Sequence, residues 1–434
     1  MSSLTAGLPS PPGRRARDFG AIGGVVAGAA LAGALLFHGP LLVAIGFCLL
    51  PLVVWLLGRP GPALLLLGAS IPITYSLTGG RGGFNLSPSD LLLLFVGAAI
   101  VFEAVVTDSL PSVAALGPVR KAVGQYGVFM MLLLTIHLSV SDFAKTGQRF
   151  ELFLLPLIVG AFAALTGRHV GLLKAYVLAT TILAAAWPVA HSLGQKNPVG
   201  QMIANAILVL VGVRALRRYL PCALILVPGL FLTASRGAIL AVAIGLAVIA
   251  VLQDSRIRTL SARFSVVAML AIGAYAVLPA SLQGRLTNFS AGFSAPGSYA
   301  IYLRQQYAND AEQIIRAHPY VGIGVGNYLA GNPYNGTQTQ DPHNVLLLQA
   351  AEGGYLFAAS FVLLIAGCAF ALRKMRQVDV TPAAAAVLLA TVAHGMVDVY
   401  WVRGTPVLSW LLVGMACGGF VKLRRGTAVS EEPV

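Results

Sequence analysis

A polytopic, all-helical membrane protein is predicted by three observations. Of 434 residues, 57% are hydrophobic and only 10% are charged, where a soluble chain carries about 25% charged residues. Apolar stretches recur from residue 19 to residue 423. Each of the longer ones has roughly 17 to 23 residues, enough to cross a hydrocarbon core of about 30 Å at about 1.5 Å per residue. Basic residues are dense in alternate loops, the pattern that membrane topology imposes.

The candidate spans are, in order, 19–38, 40–58, 61–78, 88–107, 122–140, 149–166, 170–190, 198–214, 218–234, 236–253, 263–280, 343–372, 382–399 and 404–422. The first follows Arg14, Arg15 and Arg17, like the basic start of a signal peptide. It is too long for a signal h-region and many spans follow it, so it reads as an uncleaved first helix. With the N-terminus inside, most of the 29 basic residues fall on the inner side. Only Arg81, Lys145, Arg149, Lys196, Arg236, Arg285, Arg304, Arg316 and Arg403 fall outside. Both termini are therefore expected in the cytoplasm.

The domain layout follows: a disordered N-terminus (1–18), N-terminal transmembrane helices (19–280), one large outer loop (281–342), C-terminal transmembrane helices (343–423) and a cytoplasmic tail (424–434). Every other loop is short, and long loops without structure are uncommon unless functional. The net charge of +14 is accounted for by topology, so no nucleic-acid partner is expected. Cys48, Cys222, Cys368 and Cys417 all lie in apolar segments, with neither a CxxC pair nor metal-ligand spacing. They read as buried thiols, with no metal site.

Chemistry is expected where polar groups interrupt apolar runs near the outer loop. Arg236 in "FLTASRGAILAV" lies between two spans with almost no linker, which is costly unless it faces protein, water or an anion. Ser235 can cap the following helix, whose N-terminus favours negative charge. The segment is either an anion site or a snorkelling arginine. Arg285, Arg304 and Arg316 lie in the outer loop, and 304–316 has the pattern of an amphipathic helix lying against the membrane. Surface charge is the alternative reading for all three. The alternating Gly322, Gly324 and Gly326 in "HPYVGIGVGNYL" lack a strand–helix context for nucleotide binding and read as a flexible turn.

In "DPHNVLLLQAAEGGYLF" the proline before His343 sets a helix start near His343 or Asn344. The imidazole sits at the mouth of a span and can accept a proton near neutral pH. It is either a base or a hydrogen-bonded structural group. Glu352 lies about 13.5 Å further in, where a carboxylate needs a partner. It can break the helix, orient the histidine or pair with an arginine. In "AHGMVDVYWVRG", His394 and Asp398 at i and i+4 would share a helix face, with Arg403 nearby. They form either a supporting network around the site or a plain structural cluster.

The stretches "QKNPVGQMIANAILVL" (195–210), "LTASRGAILAV" (232–242), "AEQIIRAHPYVGIGVGNYL" (311–329), "PHNVLLLQAAEGGYLF" (342–357) and "HGMVDVYW" (394–401) together resemble the O-antigen ligase/polymerase family of bacterial surface-glycan enzymes. The resemblance covers the C-terminal half. It implies an all-α, GT-C-like fold with one large periplasmic loop, in the bacterial inner membrane. Ligases of this family typically have about twelve spans, which departs from the fourteen counted from the sequence and makes the expectation about 12–14 transmembrane helices. It further implies a metal-independent, inverting glycosyltransferase without a cofactor. Such an enzyme moves a glycan from a polyprenyl-diphosphate carrier to an acceptor hydroxyl on the periplasmic face: lipid A–core for a ligase, another lipid-linked repeat unit for a polymerase. Its partners would be the lipid-linked donor, a lipid or glycan acceptor and membrane lipids. By this resemblance His343 is the catalytic base. By the same resemblance Arg236 and Arg304 hold the diphosphate. From their positions alone, Arg285, Asn344, Glu352 and Arg403 are candidates for substrate binding, and His394 and Asp398 for supporting the site.

Two other classes compete. A transporter or lipid-carrier flippase would explain the spans and Glu352, but calls for inverted repeats and midplane charges, neither of which stands out in the sequence. A peptidoglycan-type glycosyltransferase would call for an acidic base in the outer loop, for which the candidates are Asp310 and Asp341.

Overall fold

The computed structural model describes residues 55–74, 87–106, 113–138, 140–189, 196–253, 259, 297–328, 342–398 and 405–430. The spans expected at 19–38 and 263–280, and most of 40–58, lie outside these residues. The helices are α1 (Pro60–Ser70), α2 (Pro88–Val106), α3 (Arg120–Ile136), α4 (Val140–Leu165), α5 (His169–Ala186), α6 (Lys196–Gly212), α7 (Ala223–Leu232), α8 (Arg236–Leu252), α9 (Gly297–Ala317), α10 (Val345–Lys374), α11 (Thr381–Gly395) and α12 (Val407–Ser430). Short 3-10 helices precede α3 (Val113–Val119) and α7 (Arg214–Cys222). Among the described residues there is no strand, and seven helical segments are long and apolar enough to cross a membrane. The chain is a multi-pass helical membrane protein.

Two compact units divide the chain: residues 1–63 with 95–111, and residues 64–94 with 112–434. The described part of the first is helical, at the start of α1 and the end of α2. The second holds every residue of the site below.

Within the second unit α12 is central, with 72% of its span buried, whereas Arg214–Leu232 has only 22% buried. Backbones approach closely where small residues allow it. A side chain at Gly414 would strike the Leu157 carbonyl, and one at Gly418 the Ala161 carbonyl. The two glycines are four apart on α12 and face residues four apart on α4, the small-xxx-small contact that holds helices together in lipid. α8 packs on α11 and α6, and α10 on α3, α9 and α11.

The spans expected at 218–234 and 236–253 are separated at Thr233–Ser235, just before Arg236. The run 343–372 becomes α10, which begins at Val345 and is interrupted at Gly354 (φ 77°, ψ 177°). The amphipathic helix expected at 304–316 is α9. Its apolar stripe is taken up by protein: Ala311, Ile314 and Ile315 form one cluster with Tyr328 and with Leu348, Ala350 and Ala351 of α10. That packing carries the polar half of α9 to the start of α10.

Gly414→Leu is expected to force α4 and α12 apart, at roughly 1–3 kcal/mol or more for an overpacked contact. The check is thermal unfolding and size-exclusion profile in detergent, where the variant melts several degrees lower or loses its monodisperse peak.

Candidate functional site

Three helix ends and one flanking helix converge on Asp398. The N-terminus of α6 brings Asn197, whose amide Nδ2 donates to Asp398 Oδ2. α9 brings Arg304, whose Nη2 lies 3.2 Å from the same oxygen. The start of α10 brings His343, whose Nδ1 lies 3.3 Å from Oδ1. α11 ends at Gly395, and Met396–Asp398 form the turn beyond it. The shared helix face expected for His394 and Asp398 is therefore not formed. The helix gives way to a turn in which Val397 is exposed and the buried Asp398 carboxylate meets its neighbours.

His394 still belongs to the site, through another route. It is fully buried and its Nδ1 donates to Gln201 Oε1. Gln201 Nε2 in turn donates to Asn205 Oδ1 at 2.8 Å. The edge of the imidazole fits against α8 because residue 237 is glycine: a Cβ there would lie 2.6 Å from His394 Cδ2. Arg236, the neighbouring residue and the first of α8, is exposed. Ser235 caps α8, with Oγ accepting from Ala238 N at 3.4 Å, as its sequence position suggests.

His343 has the geometry of an oriented base. Its side chain is 13% exposed, and its ring stacks on Tyr307 at 5.7 Å between centroids and 10° between planes. Only two described non-glycine residues have positive φ: His343 (52°) and Ala234 (51°). Such conformations cost of order 1–3 kcal/mol and persist where surrounding structure over-determines them. Both flank site residues, one being His343 itself and the other preceding Ser235–Arg236. Asn344 acts as the N-cap of α10, its Oδ1 accepting from Leu346 N and Leu347 N at 3.0 and 3.1 Å. Its Nδ2 donates to the Met396 carbonyl at 3.3 Å. The side chain expected to bind substrate thus stitches α10 to the α11 turn, because a helix start leaves N–H groups that an Asn acceptor satisfies.

Burial by itself would raise the Asp398 carboxyl. The close approach of His343, with the charges of His394, His343 and Arg304, outweighs it and holds Asp398 below the usual carboxylate range. Chemically this is an anionic post with a histidine and an arginine on it. Among the described residues no group of three His, Cys, Asp or Glu side chains is arranged to hold a metal ion.

Glu352 is elsewhere. Only 1% exposed, it pairs with Arg149 of α4, both carboxylate oxygens lying 3.3 Å from Nη2. Of the alternatives open in the sequence, pairing with an arginine is the one realised. Arg285, Arg403 and Asp341 lie outside the described residues. Sequence reasoning singled out neither Asn197, Gln201, Tyr307 nor Arg149. For the first two a signal exists: Asn197, Gln201 and Asn205 recur every four residues in an otherwise apolar helix, one polar stripe facing protein.

Because the folded carboxyl of Asp398 titrates below its unfolded value of about 3.9, its stabilisation is present above that value and lost as pH falls through the folded pKa. Asp398→Asn is therefore expected to lower the melting temperature throughout pH 5 to 8. The deficit shrinks only below about pH 4, as measured by thermal unfolding in detergent at fixed ionic strength.

No curated protein matches the chain. A family model described as O-antigen ligase matches residues 221–362, the range that contains Arg236, Arg304, His343 and Glu352, and over this stretch the chain is similar to that family.

Proposed function

We propose that the protein is an O-antigen ligase-like glycosyltransferase of the bacterial inner membrane. It moves a glycan from a polyprenyl-diphosphate carrier to an acceptor hydroxyl, with lipid A–core as the acceptor, on the periplasmic face and with both termini cytoplasmic. The observation that carries this reading is the His343–Asp398 pair beside Arg304, with His343 in a strained backbone at a helix start and both His343 and Arg304 inside the family-matched segment.

In this reading the acceptor O–H approaches the anomeric carbon of the donor. The new C–O bond forms as the bond from that carbon to the diphosphate oxygen breaks, with inversion. His343 takes the hydroxyl proton at Nε2. Asp398, accepting from Nδ1–H, fixes the tautomer and stabilises the imidazolium. Charge accumulates on the departing diphosphate, and guanidinium groups stabilise it. Arg304 has five N–H donors and engages Asp398 through one nitrogen, which leaves donors for a phosphate. Arg236, exposed at the N-terminus of α8, adds a cation to a helix end that already favours anions. Tyr307 keeps the imidazole plane aligned. No nucleotide site is needed, because the lipid carrier already activates the sugar. Arg285 and Arg403 remain candidates for further glycan or diphosphate contacts.

Expression in a host lacking its own ligase, followed by lipopolysaccharide gels, tests this. Wild type is expected to restore glycan-capped lipid A–core. At equal expression His343→Ala loses transfer by roughly 10²–10⁴-fold, the range for removing a general base, and Arg236→Ala loses most of it. Repeat-unit polymerisation without capping would instead assign the protein to the polymerases. Full activity of His343→Ala would make the histidine structural and sink the mechanism.

A further inference from the structure

α10 is two helices joined at a break, and the break is built as carefully as the site. After Glu352 come Gly353 and Gly354, and Gly354 adopts a conformation (φ 77°, ψ 177°) open only to glycine. An interrupted span leaves backbone groups without helical partners, which in lipid must be satisfied by protein. The turn after α9 does this. Ile323 N donates to Ala351 O at 3.0 Å, Gly324 N to Glu352 O at 2.9 Å, and Tyr355 N to Pro319 O at 2.9 Å. The fit is tight: a side chain at Gly322 would strike the Glu352 backbone, and one at Gly354 the Tyr320 backbone.

α3 splints the two halves. Tyr126 OH donates to Gln349 Oε1 before the break at 3.0 Å, and its ring stacks on Phe357 after it at 5.2 Å. Gln125 Nε2 donates to Ser360 O at 2.7 Å. One charge contact remains, and it comes from α4. Arg149 Nη2 meets both oxygens of Glu352 at 3.3 Å. The guanidinium is 17% exposed and the carboxylate 2%, beside a cavity lined by Tyr126, Arg149, Gln349 and Trp410 with room for roughly one water.

We infer that Arg149 is a positioning residue for the transfer reaction: through Glu352 it fixes the rotation and depth of the half-helix 345–353 that follows His343 and Asn344. The inference rests on the functional reading above. A buried ion pair is poor value as glue, since apolar replacement of both partners is often neutral, but removal of one leaves an uncompensated charge. Its use is as a register pin. Glu352 can meet Arg149 in only one rotation of the half-helix, and that rotation brings Asn344 to the Met396 carbonyl and His343 to Asp398. Arg149 itself touches neither reacting atom.

The test compares full-length wild type with Arg149→Met, Arg149→Lys, Glu352→Gln and the double variant Arg149→Met/Glu352→Gln, purified in detergent. Hydrogen exchange is followed over residues 343–357, and kcat and KM for transfer are measured in parallel. Arg149→Met is expected to raise exchange over 343–357 by at least tenfold and lower kcat by a similar factor with little change in KM. Arg149→Lys restores part of both. The double variant is better than Arg149→Met in both readouts, because no lone buried charge is left. A double variant no better than Arg149→Met overturns the inference. So does an Arg149→Met that loses transfer through KM with exchange unchanged, which would make Arg149 a substrate ligand. Absence of transfer by wild type would remove the functional reading alone. The exchange arms would then decide by themselves whether Arg149 holds the half-helix, and unchanged exchange in Arg149→Met would reject that as well.

Discussion

The buried carboxylate of Asp398 is the constraint around which the rest is arranged. A carboxylate taken out of water is tolerated only when donors surround it. Asp398 obtains them from three separated parts of the chain: Asn197, Arg304 and His343. Each donor fixes its own element: the first turn of α6, the polar half of α9 and the entry to α10. His394 adds its electrostatic contribution from the end of α11 while bonding to α6 through Gln201. The same contacts that neutralise the acid therefore hold a strained histidine backbone, an arginine and an aromatic ring within one small volume. Structure and chemistry share one residue.

Much of this was legible in the sequence, and the reason is that lipid imposes simple rules. Apolar length gave helices, and the lone Arg236 between two runs marked a junction that forms at Thr233–Ser235. His343 after a proline marked a helix start, and Asn344 completes it as a cap. Glu352 stood out because a carboxylate deep in an apolar run demands a partner. Which partner was not legible. Arg149 lies 203 positions away, and periodicity says nothing about contacts at that range. Arg149 had been counted only as one more loop charge.

Two misreadings share a cause. His394 and Asp398 were placed on one helix face by their spacing, but the helix stops at Gly395. The alternating glycines at 322, 324 and 326 read as a flexible turn. In the structure all three have positive φ; Gly324 donates to Glu352 O at the break in α10, and Gly322 packs against the Glu352 backbone. In both cases local pattern was read correctly as pattern, and a distant element decided what it did. The Gly353–Gly354 pair could have prompted the search, because it offers an opening in a span that something else must fill.

The keyed fit between that turn and α10 has a consequence for how such proteins diversify. The surface loop and the span below it are not separable modules. A relative that acquired a different segment at 318–324 while retaining this α10 would leave the carbonyls of Ala351 and Glu352 and the amide of Tyr355 without the partners they have here. Segments from the start of α9 to the end of α10 must then be inherited as a block, and variation that changes what the protein handles is confined to positions the block leaves open, such as the outward-facing residues of α9.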